Sequence, residues 1–396
     1  MINIKKGVEN IALSKHVTSS ETISEVERFP TFAVIGLGQA GGRIASEIAR
    51  FGCPIFLINT CKSDMMEKDL KISEERKYLT SCKRFPRLEG TGGYGARGLE
   101  IAEANADIYE EIANKQEVRD ADFIWVTASL SGGTGSGALD FTITKLIESR
   151  KETNFYIEGV RIGVICTLPA IHEMSVIGIR NTLTCIKQLQ NRINENEISS
   201  VLVIDNEKIM DYYSDEKITE TIRSTIDRKT YSNKLTAALL IEISVLPFLV
   251  GRSVFDKTSF LSLISTPGWL SISKIIYSNS LQTLELEVLR LYEESDFFVE
   301  YGQNNINTLC TAILYPKFTY YSPEIADMAI KYASKIQTLK TYESISVNSA
   351  INGVVLYGIS VSNIFSKDTI AILQRELQKR SEAKSALDIP SSKKTP

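Results

Sequence analysis

Short, unbroken apolar runs alternate along this chain with longer stretches whose apolar residues recur every three to four positions. Thr31-Phe32-Ala33-Val34-Ile35-Gly36-Leu37 and Phe123-Ile124-Trp125-Val126 are runs of the first kind. They lack the one-sided alternation of a strand with a wet face, so they read as strands buried on both faces. The pattern predicts strands at 31–37, 54–59, 122–130, 161–168 and 199–206 with helices between them, an α/β fold with a doubly wound, mostly parallel sheet. At 231–250, Leu235, Ala238, Leu239, Ile241 and Leu246 fall on most faces of one long helix closed by Pro247 and Gly251. A helix apolar all round is predicted to be a core helix between two units. From 255 to 362 the pattern shifts to a smaller mixed α/β unit with strands at 269–277, 309–315 and 354–360, followed by a helix at 367–384 that aligns Ile370, Leu373 and Leu377. The chain is thus expected to divide at 1–30, 31–228, 229–252, 253–362 and 363–396, the first part being a polar, frayed extension.

Composition narrows this little. A chain of 396 residues has room for two cores, and a net charge of −3 argues against a surface built wholly for nucleic acid. Six cysteines without a C-x-x-C pair and only two histidines argue against a zinc site or a disulfide framework, and for a reducing cytosol. No apolar run approaches the ~20 residues of a membrane span.

The chemistry is concentrated in three glycine-rich turns, each ahead of a helix pattern. The first offers Gly38, Gln39, Ala40, Gly41 and Gly42, the second Gly92, Gly93 and Gly95, and the third Gly132, Gly133, Thr134, Gly135 and Ser136. Glycines at a helix start let backbone N–H groups converge beside the positive end of the helix dipole, which suits phosphate. No lysine follows Gly137, so the third turn is not a P-loop. Gly36-Leu37-Gly38-Gln39-Ala40-Gly41 matches G-x-G-x-x-G, and one reading is an NAD-dependent oxidoreductase. The strand at 54–59 nevertheless runs into Asn59-Thr60-Cys61, with Asp64 arriving late for the ribose carboxylate of that fold.

Ser131-Gly132-Gly133-Thr134-Gly135-Ser136-Gly137 resembles the signature loop of the tubulin and FtsZ superfamily of polymerising GTPases, with Ser131 in place of its first glycine. Leu202-Val203-Ile204-Asp205-Asn206, Tyr231-Ser232-Asn233-Lys234 and Thr266-Pro267-Gly268-Trp269-Leu270-Ser271 look like its TubZ branch, which serves DNA partition in plasmids and phages. The resemblance implies a tubulin-like fold, GTP or GDP with Mg2+, head-to-tail filaments of the chain with itself, and a DNA-bound adaptor met by the basic carboxyl-terminal helix and tail in a bacterial cytoplasm. An FtsZ-like role in cell division is the nearest alternative. The resemblance gives Glu173 to the ribose, Asn206 and Asn233 to the guanine edge, and Tyr231 to the face of the base. A loop after the long helix would carry acids toward the neighbour's nucleotide. Here Asp256 occupies one of its two usual acidic positions and Ser259 the other, leaving Asp256 as the catalytic candidate. Each has a plainer reading: asparagine at a helix start is often a cap, Glu173 would favour a first helical turn anyway, and Asp256 could cap the segment after it.

Overall fold

The computed structural model describes residues 30–68, 70, 72–85, 89–152, 161–214, 226–249, 255–277, 283–295, 297–316, 323–348 and 353–387. The polar extension expected before residue 30, Gly251-Arg252-Ser253-Val254 and the tail from 388 lie outside the described residues.

Strands β1 (Phe32–Leu37), β2 (Ile55–Asn59), β3 (Lys77–Leu79), β4 (Phe123–Ser129), β5 (Ile162–Leu168) and β6 (Ser200–Asp205) form a parallel array in the order β3-β2-β1-β4-β5-β6. All residues of β1, β2 and β5 are buried, which is why their sequences are unbroken apolar runs. Helices α1 (Gly38–Ala49), α2 (Gly95–Ala104), α3 (Ala106–Ala113), α4 (Gly133–Lys151), α5 (Val176–Asn194) and α6 (Asn206–Ser214) connect them. One face of the sheet packs on Ile44 and Ile48 of α1 and on Leu239 and Leu240 of α7 (Arg228–Val245). The other packs on Ala102, Tyr109, Ile143 and Ile179. Strand order reverses between β1 and β4, so helices that leave their carboxyl ends diverge and open a crevice there.

The sheet does not stop at the central helix. After α8 (Lys257–Ile264), β7 (Gly268–Tyr277) pairs in parallel with β6 from Ser200↔Gly268 to Leu202↔Leu270. Around α9 (Leu284–Glu293) and α10 (Pro323–Ala333), β8 (Ile306–Pro316), β9 (Lys340–Asn348) and β10 (Val354–Ser362) continue it in the order β7-β10-β8-β9. Helix α11 (Lys367–Leu387) then returns to pack on α5, with Leu373 buried and Ile370 and Leu377 against the same cluster.

α7 begins three residues before the expected 231, because the Asp227 carboxylate accepts from the backbone N–H groups of Lys229 and Thr230 at 3.0 and 3.1 Å. It ends at Val245, and Pro247 lies in the short turn that follows. Its buried surface includes one charge. The Glu242 side chain is 5% exposed and accepts from Lys274 Nζ of β7 at 2.8 Å and from Tyr357 Oη of β10 at 2.7 Å, with the Lys274 side chain 1% exposed.

Candidate functional site

The amino ends of α1 and α4 lie at the carboxyl ends of the adjacent strands β1 and β4, on either side of the switch point. Gly38 has φ +67°, a conformation that disfavours a side chain, and a Cβ there would stand 3.3 Å from the Gly135 nitrogen. The first and third glycine turns are therefore one surface. Thr134 Oγ1 meets Thr60 Oγ1 at 2.6 Å, and Asn181 of α5 donates to the carbonyls of Gly93 (2.8 Å) and Ser131 (3.1 Å), tying the second turn to the third.

Several glycines serve packing. A Cβ on Gly41 would press on the Thr127 carbonyl, and one on Gly42 would stand 2.7 Å from Leu57 Cδ1. Gly95 faces Ser136 Oγ at 2.9 Å by the same measure, and Gly98 faces the Gly133 carbonyl. At Gly137 a Cβ would lie 2.6 Å from the Leu99 nitrogen and against the Gly95 carbonyl, so α2 and α4 touch backbone to backbone. Gly137→Ala is accordingly expected to lower stability by about 1–3 kcal/mol through overpacking, checked by chemical unfolding. The Ser136 hydroxyl bonds the Gly132 carbonyl, a back-bond within the first turn of α4.

From these turns a cleft runs along the strand ends, lined by Gln39, Ala40, Arg43, Ser131, Thr167, Glu173, Lys229, Asn206 and Asn233. At the usual ~4.8 Å between strands, the distance from β1 to β6 is about 14 Å, enough to place phosphates at one end and a base at the other. Asn206 opens α6 and Asn233 lies in the second turn of α7. Glu173 belongs to the short turn Ile171–Glu173, where its carboxylate pairs with Arg228 and stands 3.7 Å from Lys229 Nζ. Gly92 and Gly93, both at positive φ, lie in the loop before α2.

Tyr231 is buried in the core cluster with Leu235 and Ile243. Asp256 is at the other end of the sheet: it caps α8 by accepting from the Ser259 N–H at 2.7 Å, and the adjacent Lys257 pairs with Asp122 at 2.7 Å. Asp122 precedes β4, whereas the third glycine turn follows it, so seven residues of strand, about 23 Å, separate the two ends. The Ser259 N–H holds the Asp256 carboxyl below its ordinary range. Burial opposes ionisation of Asp122, but Lys257 and the Thr31 N–H outweigh it and hold that carboxyl low as well.

Arg43, Lys229, Arg228 and Asn181 were not visible from sequence, since isolated Arg, Lys and Asn in helical patterns carry no signal of where they point. Arg43 pairs with Glu67 at 2.9 Å, a contact that raises its pKa. β2 ends in Asn59, whose Oδ1 accepts from the Thr60 N–H at 2.8 Å, so the ribose carboxylate of a dinucleotide enzyme is missing from that strand end.

Residues 31–214 match the family model described as "Tubulin/FtsZ family, GTPase domain". The chain is 30% identical over 272 residues to the tubulin-like protein TubZ of Bacillus cereus, an alignment covering 64% of this chain and 57% of that protein. The chain thus spans less than two thirds of the length of that curated relative. Its fold is similar to a GTPγS-form protofilament structure of Bacillus thuringiensis serovar israelensis TubZ, with a TM-score of 0.72 at 20% identity over 92% of this chain and 95% of that one. It is also similar to a type III plasmid segregation TubZ, with a TM-score of 0.68 at 19% identity over 91% and 94%. Among the described residues no helix is long and apolar enough to cross a membrane.

Proposed function

We propose that this chain, which carries a tubulin/FtsZ-family GTPase domain over residues 31–214 within a tubulin-like fold, is a TubZ-type filament-forming GTPase that segregates DNA. The observation that carries the reading is the separation of its parts: the glycine turns stand at the carboxyl edge of the sheet and Asp256 at the amino edge. One copy cannot bring them together. A second copy stacked head to tail can, and such a contact does not close on itself, so it grows into a filament.

In this reading the amino ends of α1 and α4, with Thr134, hold the phosphates through backbone N–H groups and a hydroxyl. Asn206 and Asn233 read the guanine edge, for which an amide offers both a donor and an acceptor. Glu173 takes the ribose hydroxyls after exchanging part of its bond to Arg228. Arg43, paired with Glu67, and Lys229, beside Glu173, add cationic groups to the cleft lining. A magnesium ion held by the phosphates and water would balance the triphosphate's charge. Asp256 of the next copy stays ionised and orients the attacking water.

DNA segregation rests on the likeness to TubZ, and an adaptor is assigned to the exposed cations of α11, among them Lys367, Arg375 and Lys379. Arg380 is turned away from that face. With GTP and magnesium, pelleted mass and phosphate release are expected to rise together above a threshold protein concentration. Neither changing, while NAD raises the melting temperature, would replace the reading with the oxidoreductase. Thr134→Ala removes a hydroxyl from the cradle and strands Thr60, and is expected to weaken GTP binding about 2- to 10-fold by titration; unchanged affinity would remove Thr134 from the site.

A further inference from the structure

The turn that carries Glu173 is held from three separate parts of the chain. The Ile171 N–H donates to Glu207 of α6 at 2.8 Å, and Glu173 itself pairs with Arg228 at the start of α7. The third hold comes from far along the sequence. Arg380 of α11 donates through Nη2 to the Ile171 carbonyl at 2.9 Å and through Nη1 to the Met174 carbonyl, so one planar guanidinium spans the turn on both sides of Glu173. Glu376, one helical turn back, accepts from Arg380 Nε at 2.7 Å and fixes the fork.

α11 can act as a rigid arm because its entry is also fastened. Gln190 of α5 accepts from Trp269 Nε1 at 2.8 Å and from the Phe365 N–H at 3.2 Å, while Phe365 packs edge-on against Trp269 with ring centroids 4.6 Å apart. Leu373 is buried between the two ends.

We propose that Arg380 is a positioning residue for the ribose subsite: through it, the docking of α11 on the GTPase domain sets the height of Glu173 in the cleft, and hence the affinity for the nucleotide. The inference rests on the proposed guanine-nucleotide site and deepens it. A guanidinium with five donors in a plane can bridge two carbonyls, and a lysine at the same place can satisfy one. Any partner that lifts α11 from α5 also loosens the nucleotide, and by linkage the bound nucleotide favours the docked helix.

The test titrates full-length protein with GTP and with 2′,3′-dideoxy-GTP, which lacks the hydroxyls Glu173 would hold. Wild type is expected to prefer GTP. In Arg380→Ala the GTP affinity falls about fivefold while affinity for the dideoxy analogue stays the same, so the ratio moves toward one. Arg380→Lys lies between, and Gln374→Ala, on the exposed face of the same helix, matches wild type. General destabilisation would weaken both ligands together and leave the ratio unchanged, which contradicts the inference. So would an Arg380→Ala protein indistinguishable from wild type. A wild type that binds both nucleotides equally would remove Glu173 from the ribose and overturn the inference, leaving guanine-nucleotide binding in place. A wild type that binds neither would overturn the proposed function itself.

Discussion

Asp256→Ala is expected to bind GTP and assemble as wild type does, and to lose steady-state phosphate release by about 100-fold or more, the usual scale for removing one group that orients or activates a nucleophile. Because Asp256 caps α8, the alanine also removes a bond to the Ser259 N–H, at about 1 kcal/mol of local stability. Asp256→Asn separates the two effects. Asparagine caps a helix as well as aspartate does, so this variant keeps α8 and still loses turnover. Added to wild type, either variant should give long-lived filaments, since each placement silences the nucleotide held by one neighbour. With its folded-state pKa lowered by the Ser259 N–H, Asp256 remains a carboxylate well into acid, so its protonation should cause no loss of turnover between about pH 8 and about pH 5. Wild-type turnover in Asp256→Asn would remove this residue from the chemistry.

Lys274→Met is expected to be the most destabilising single change, by about 3–5 kcal/mol, because it leaves the buried Glu242 carboxylate without its counter-ion. Urea unfolding measures it directly. The same ion pair is not itself a large source of stability, since burying both charges costs most of what their attraction returns. Replacing all three members together, Glu242→Leu, Lys274→Met and Tyr357→Phe, should therefore recover most of the loss. If Lys274→Met unfolds at the wild-type urea concentration, the buried pair has been misread.

Much of the architecture is legible along the chain because parallel strands buried on both faces leave unbroken apolar runs, as in Phe32-Ala33-Val34-Ile35, and because glycines mark the starts of α1, α2 and α4. Strands β3 and β9 carry no such signal, for the opposite reason. Lys77–Leu79 is three residues long, and Lys340–Asn348 is an outermost strand whose Lys340, Thr341 and Glu343 are exposed, so neither has an apolar run to read. The chain also gave no sign that β7 would pair with β6 and carry one sheet across both units, since that contact rests on three residue pairs. Gly38 opens α1 and Thr134 lies in the first turn of α4, both at helix starts as the glycine pattern predicts. Gly98 and Gly137 look the same in sequence but let two helices touch, a distinction that only the partner backbone reveals. Tyr231, which the resemblance gives to the face of the base, is buried in the core cluster with Leu235. In sequence Arg380 is one charge of a basic helix, and its two carbonyl partners lie more than two hundred positions away.

The central claim is that one copy supplies the nucleotide and the next supplies Asp256. Its most direct measurement mixes two inactive proteins: Asp256→Asn, which binds GTP but lacks the acid, and Asn206→Ala/Asn233→Ala, which keeps the acid but lacks the guanine contacts. Phosphate release from the mixture is expected to rise well above the sum of the two alone, because a head-to-tail contact pairs the intact cleft of one with the intact Asp256 of the other. A mixture no faster than that sum, with co-pelleting showing that both proteins enter the same filaments, would contradict it.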